Sequence, residues 1–188
     1  MKIVEIRKLK NKYQITLDNG EKHLVLEDTI VKYRLLPGQE FNQDIDLEKE
    51  NFKEKMYQKA LRFASYGKSE NQMIEYLNAQ GMENTYDLIM RLKKERWIDD
   101  KKMILALARK DFSYLMLESK LRFYKFEEKD IEWILSSYDE LIPLKKQLSI
   151  AYKKYEKEVY PKKQEKIYRY LVSKGFNESS IQSLMHLS

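Results

Sequence analysis

The 188-residue chain has no cysteine, only three prolines and five glycines, and just two histidines. Without cysteine there is no disulfide framework and no thiolate metal site. The scarcity of chain-breaking residues predicts long regular elements joined by short connections. No stretch approaches the roughly 18 consecutive apolar residues that a membrane-spanning helix needs. Residues 1–20 alternate apolar and polar instead of forming the short apolar block of an export signal. Asn177-Glu178-Ser179 therefore reads as a chance match to a glycosylation acceptor. A cytoplasmic monomer with no membrane contact is expected.

The histidines and acids offer little catalysis. His23 falls in a strand pattern and His186 lies two residues from the end, neither with a second histidine at metal-ligand spacing. Gly67-Lys68-Ser69 has the look of the end of a phosphate-binding loop, but position 62 is Arg where that motif needs Gly. Ser69 is better explained as a helix cap, as is the Asp99-Asp100 pair. No catalytic residue, metal ligand or cofactor site is predicted, and the chain reads as a binding protein rather than an enzyme.

What the chain does have is charge and helical periodicity. Charged residues make up 35% of it, against the usual quarter or so. Residues 1–50 hold 9 Lys/Arg against 10 Asp/Glu, so the excess that gives a net +6 lies beyond them. Residues 140–170 are the most basic, with nine Lys/Arg and four Glu. This asymmetry points to a polyanionic partner or an acidic protein surface, or else to solvated helix faces.

The first 46 residues predict a β-rich module. Lys2–Leu9 and Tyr13–Leu17 alternate, Asp18-Asn19-Gly20 supplies a hairpin turn tolerant of positive φ at both Asn19 and Gly20, and His23–Leu26 returns. Thr29–Leu35 fits a fourth strand or a helical turn. Pro37-Gly38 is a turn, and Asp44 or Asp46 can cap the next helix.

From residue 47 the period is helical. Met56, Tyr57, Ala60, Leu61 and Ala64 share one face. Ser69 and Gln72 form a capping box for a helix through Met73, Ile74 and Leu77. Leu88, Ile89 and Leu92 mark another, and Asp99 caps one bearing Met103, Ile104, Leu107 and Ala108. Leu141, Leu144, Leu148, Ala151 and Tyr155 form a narrow seam, and Pro161 is placed to open the helix that follows.

Three tags share one form: Leu77-x-x-x-Gly81-Met82, Leu121-x-x-x-Lys125-Phe126 and Leu171-x-x-x-Gly175-Phe176, spaced by 44 and then 50 residues. Leu anchors a last helical turn, Gly turns left-handed, and the next apolar residue packs back; Lys125, in place of Gly in the middle copy, costs on the order of 1 kcal/mol where it keeps that turn. The expected fold is mainly α: three tandem three-helix repeats (47–98, 99–139 and 140–188) in an elongated curved body behind the module at 1–46. Such a body lines a groove instead of enclosing a substrate.

Basic and aromatic residues interleave in three places: Arg91, Lys93, Lys94, Arg96 and Trp97; Lys120, Arg122, Phe123, Tyr124 and Lys125; Lys162, Lys163, Lys166, Tyr168, Arg169 and Tyr170. Cations of this kind contact phosphates while aromatics stack on bases; equally, the aromatics can be packing residues sheathed by Lys and Arg stems.

Read together, these segments resemble the bacterial RecX regulatory proteins over nearly the whole chain. Lys59-Ala60-Leu61-Arg62-Phe63-Ala64-Ser65-Tyr66 is similar to that family's first-repeat opening, and Trp97-Ile98-Asp99-Asp100 to the junction of its first two repeats. Lys120-Leu121 with Lys125-Phe126, and Leu171–Phe176, resemble its later helix ends. The stretch His23–Phe41, with Leu36-Pro37-Gly38-Gln39, is similar to its longer members. The resemblance implies a regulator that binds in the groove of the RecA–DNA filament and modulates, usually inhibits, ATP hydrolysis and strand exchange. The partners it implies are RecA and DNA. The chain departs from the pattern at Arg109-Lys110-Asp111-Phe112-Ser113, where the family often has a basic, glycine-containing linker; only Arg109 and Lys110 match. The candidate contacts are thus Arg91, Lys93, Lys94, Arg96, Arg109, Lys110, Lys120, Arg122, Lys162, Lys163, Lys166 and Arg169. Two other readings stay open: a stand-alone nucleic-acid-binding module, and a protein scaffold indifferent to DNA.

Overall fold

A computed structural model describes residues 1–42 and 45–186. Three antiparallel strands, β1 (Ile3–Leu9), β2 (Lys12–Leu17) and β3 (Lys22–Val25), pair in the order β1-β2-β3. Alternation does its work here: Ile3, Ile15, Leu17 and Val25 all face one buried side. The register slips between Ile3 and Glu5, leaving Val4 bulged outward and 60% exposed. The β2–β3 turn differs from the expected pair of left-handed residues. Only Gly20 has positive φ, while the Asn19 side chain accepts the Glu21 N–H at 3.0 Å, so the loop runs four residues between strands.

The ambiguous stretch at Thr29–Leu35 is resolved as helix α1 (Glu27–Tyr33). It leads to α2 (Leu47–Ala64), whose first turn is capped by Asp46 accepting the Lys49 N–H at 3.0 Å; Asp44, the alternative cap, lies outside the described residues. Asn51 on α2 stitches the sheet to the helices. Its side chain accepts from the Leu26 N–H at 2.9 Å and the Thr29 hydroxyl at 3.2 Å and donates to the Leu24 carbonyl at 2.5 Å.

The remaining helices are α3 (Glu70–Ala79), α4 (Tyr86–Lys94), α5 (Asp100–Ala108), α6 (Tyr114–Phe123), α7 (Glu128–Ser136), α8 (Leu141–Lys154), α9 (Lys162–Ser173) and α10 (Glu178–His186). Their buried faces form three separate clusters. One joins α2, α3 and α4 through Met56, Ala60, Met73, Leu77 and Leu92; a second joins α5, α6 and α7 through Ile104, Leu117, Leu121 and Ile131; the third joins α8, α9 and α10 through Leu144, Ala151, Ile167, Leu171 and Ile181. Each of these triplets is small, so burial within it alone is modest and the junctions between triplets matter.

The three tags behave alike. Met82, Phe126 and Phe176 return their N–H groups to the carbonyls of Leu77, Leu121 and Leu171, five residues back. Gly81, Lys125 and Gly175 sit at φ 84°, 57° and 82°. Lys125 keeps the left-handed turn without being glycine and pairs with Glu75 at 2.5 Å. Lys125→Gly should therefore raise the unfolding free energy in urea by up to about 1 kcal/mol, since the relieved strain exceeds what an exposed ion pair contributes. A fall would show that the Glu75 pair outweighs the strain.

Two local expectations need correction. Leu141, the first residue of the α8 seam, is 45% exposed, because α8 begins there and its first turn projects past the core. Pro161 is the residue before α9 instead of its first helical residue; its carbonyl accepts the Glu165 N–H at 3.2 Å.

Candidate interaction surface

The twelve candidate cations divide into two groups. Arg91 lies 3.4 Å from the centre of the Tyr57 ring and pairs with Glu54 and Glu95. Lys93 pairs with Glu70 at 2.7 Å, and Arg122 is forked between Glu118 at 3.0 Å and Glu128 at 3.1 Å. Lys166 and Arg169 pair with Glu158 and Glu165. These five are engaged within the fold. Among the described residues, Lys94, Arg96, Arg109, Lys110, Lys120, Lys162 and Lys163 have no carboxylate within 4.0 Å. All are exposed except Lys163, which is half-buried with its ammonium 5.7 Å from the Tyr152 ring centre. Arg96 is held at φ 63° beside Trp97, itself 47% exposed.

The aromatics mostly pack. Tyr124 is half-buried, edge-on to Phe123 at 5.4 Å and 5.8 Å from Phe126. Tyr168 donates its hydroxyl to Glu178 at 2.8 Å, and Tyr170 to Gln147 at 3.0 Å. Trp97 and Phe123 stay accessible.

Sequence reasoning missed what joins the triplets. The Ser69 hydroxyl, at the N-cap of α3, donates to the carbonyl of Tyr124 at the C-cap of α6. The Ser113 hydroxyl, at the N-cap of α6, donates to the carbonyl of Lys174 at the C-cap of α9, at 2.8 Å. Beside each serine the first helical N–H is held by a carboxylate of the next triplet. Glu70 donates to both oxygens of Asp100 at 3.0 and 3.2 Å, and Tyr114 to Glu140 at 2.7 Å. Asn71 and Gln72 add bonds to the carbonyls of Lys125 at 2.7 Å and Phe123 at 3.0 Å. The signal in the sequence was the 44-residue interval from Ser69 to Ser113, equal to that from Leu77 to Leu121.

Clefts flank these junctions. One of about 510 Å³ is lined by Asn71, Lys93, Arg96, Asp100 and Asp130, and one of about 350 Å³ by Arg109, Lys110, Ile134, Tyr138 and Ile142. Burial pushes the Tyr138 hydroxyl up to about 12, with Glu140, Asp111 and Asp139 adding to it, and that hydroxyl donates to the Phe112 carbonyl at 2.6 Å. A third cleft, about 400 Å³ between α1, α2 and α4, has walls of paired charges. There burial works to raise the Glu50 carboxyl, but hydrogen bonds from Lys32 and Lys53 hold it down to about 2. Among the described residues no group of three His, Cys, Asp or Glu could hold a metal ion, and no helix is long and apolar enough to cross a membrane.

Among the described residues Asp100 is the one acid pushed well up, to about 6, chiefly by burial; the Glu70 N–H it accepts from pulls the other way. Its ordinary value is 3.8. As pH rises from about 4 to about 6 the unfolded chain gives up this proton while the folded chain resists, so the group's contribution to stability falls across that window and is level above it. Asp100→Asn keeps an acceptor for the Glu70 N–H and removes the effect. In urea titrations the variant should match the parent near pH 4 and exceed it at pH 7 by on the order of 1 kcal/mol. Equal stability at both pH values would show that Asp100 ionises freely.

No protein-family model matches the chain. Curated relatives do. Regulatory protein RecX of Streptococcus pyogenes serotype M4 (strain MGAS10750) is 34% identical, with the match covering 100% of this chain and 78% of the relative. Regulatory protein RecX of Streptococcus uberis is 29% identical over 98% of this chain and 76% of the relative. Two crystal structures share the fold. A regulatory protein RecX superposes with a TM-score of 0.67 at 20% identity over 99% of this chain and 100% of its own. RecX from Lactobacillus salivarius does so with a TM-score of 0.55 at 22% identity over 71% and 94%. Identity of this level, sustained along the whole chain and joined to a shared mainly helical fold with a small N-terminal sheet, establishes that the chain belongs to the RecX family of regulatory proteins.

Proposed function

We propose that this protein binds the RecA–DNA filament as a monomer and modulates it, inhibiting ATP hydrolysis and strand exchange. In this reading the three triplets are tandem units of one elongated, curved body that lies along the filament groove in the cytoplasm and does no chemistry of its own. Membership of the RecX family carries the proposal. The charge pattern supports it: residues 1–50 hold 9 Lys/Arg against 10 Asp/Glu, so the net positive charge lies beyond them, and there, among the described residues, seven of the twelve candidate cations have no carboxylate within 4.0 Å. Lys94, Arg96, Arg109, Lys110, Lys120, Lys162 and Lys163 are the proposed contacts to phosphates or to acidic filament residues, because a cation already held in an ion pair must break it to bind. Arg91, Lys93, Arg122, Lys166 and Arg169 are given a structural role instead.

The test is a titration of RecA ATPase activity on single-stranded DNA with increasing amounts of the protein. A concentration-dependent fall in rate is expected. An unchanged rate, together with no co-sedimentation with filaments, would remove the proposal. Exposed Trp97 next to the unpaired Arg96 favours the second reading, a stand-alone nucleic-acid-binding module. That reading requires DNA affinity without RecA that falls steeply as salt rises.

A further inference from the structure

The middle helices of the three triplets run head to tail. The N-terminus of α3 meets the C-terminus of α6, and the N-terminus of α6 meets the C-terminus of α9. Positive and negative helix ends thus face each other twice. At each meeting a serine works in both directions. Ser69 accepts the Gln72 N–H at 3.2 Å and Ser113 accepts the Met116 N–H at 3.2 Å, while both hydroxyls donate across the junction. Both serines are buried, at 0% and 1% exposure, so neither hydroxyl can exchange its partner for water. The carboxylate of Asp100 or Glu140 closes the second half of each clasp on the adjacent N–H.

The N-terminus of α9 lacks the serine. α9 begins after Pro161, which has no hydroxyl, and its first helical residue is Lys162. Two bonds that recur at both junctions, and whose serine donor is lacking at the N-terminus of α9, fix orientation between bodies and are not general packing. Apolar contacts between helices slide, whereas a hydroxyl bound at once to its own helix and to a neighbouring helix end defines an angle.

We propose that the Ser69–Asp100 and Ser113–Glu140 clasps are positioning elements that set the angle between successive triplets, and thereby hold the free cations at the spacing the partner requires. The consequence for the partner rests on the filament reading above; the consequence for the angles does not. An array with loose junctions must be ordered on binding, which weakens association without removing any contact residue.

The absence of cysteine makes the test direct, because introduced cysteines are the sole labelling sites. Spin labels at Tyr86→Cys and Glu132→Cys, on α4 and α7, report the first junction. Labels at Glu132→Cys and Ser183→Cys, on α7 and α10, report the second. Ser69→Ala should broaden the first distance distribution and leave the second, and Ser113→Ala should do the reverse, with far-UV circular dichroism unchanged. Should either serine variant fail to fold, the half-buried Glu140 supplies the decision. Glu140→Ala broadens the second distribution, and Glu140→Gln, which keeps an acceptor for the Tyr114 N–H, restores it. The broadened variants should need about fivefold more protein for the same effect on RecA ATPase. Distributions that stay as narrow as the parent's would overturn the role in setting the angle. Broadened distributions with an undiminished filament effect would overturn the role in positioning. If the parent protein itself leaves RecA unaffected, the filament reading fails, and the distances still decide the clasps.

Discussion

Gly175→Ala is expected to lower the unfolding free energy by about 2–4 kcal/mol, whereas the same change at Gly81 should cost only about 1–2 kcal/mol. Both glycines turn left-handed at the end of a helix, at φ 82° and φ 84°, so the backbone strain is common to the two. The surroundings differ. A Cβ at Gly81 meets nothing within 4 Å, whereas one at Gly175 comes to 2.9 Å from the Ser113 hydroxyl oxygen. That oxygen is not the free tip of a flexible chain. It is buried and tied to the Lys174 carbonyl and the Met116 N–H, so a methyl group there dislodges the cap of α6 and the second clasp together. Urea unfolding of the two variants side by side isolates the junction term as their difference. Equal losses would mean that the α6–α9 contact gives way without cost. At the equivalent place of the first junction Lys125 carries a Cβ, its ammonium reaches Glu75 and its carbonyl takes the Asn71 amide.

Reversing Lys162 and Lys163 together should weaken the effect on RecA filaments about tenfold or more while leaving the protein as stable as before, or slightly more so. The two effects have opposite signs for a physical reason. Both lysines stand in the first turn of α9, the positive end of its dipole, where cations are unfavourable by a few tenths of a kcal/mol each. Neither is paired with a carboxylate, so glutamates there suit the helix better than the residues present. Inside the fold Lys163 has only the Tyr152 ring, 5.7 Å from its ammonium, to offset that cost, and a locally unfavourable choice so weakly compensated is what a binding role leaves behind. Lys162→Glu with Lys163→Glu, measured by thermal unfolding and by RecA ATPase titration, tests both halves. Retained inhibition would withdraw this end of the molecule from the contact surface. Arg122→Ala is the control: its guanidinium is occupied by Glu118 and Glu128, and its removal should leave filament modulation near the parent level.

Much of the helical architecture was legible because its causes are local. A capping box, an Asp N-cap and a Leu-x-x-x-Gly helix end are each settled within one or two turns, and Ser69, Asp99 and the three tags act as their spacing predicts. Thr29–Leu35 was not legible, since seven residues complete fewer than two helical turns and cannot display a period. The hairpin at Asn19-Gly20 was recognisable as a turn but not as this turn, because loop length depends on which residues of β2 and β3 pair.

The amino-acid sequence alone determined that this is a mainly helical chain with a small strand module in front. It also determined the family resemblance and the basic bias of the last two-thirds. Tertiary structure alone decided which cations are free, because an ion pair such as Lys93–Glu70 joins residues on different helices. It alone showed Ser69 and Ser113 to be more than caps. Their partners lie 55 and 61 residues away, and no local rule reaches across that distance. A cap is a property of one helix end, but a clasp exists only once two helix ends have been brought together.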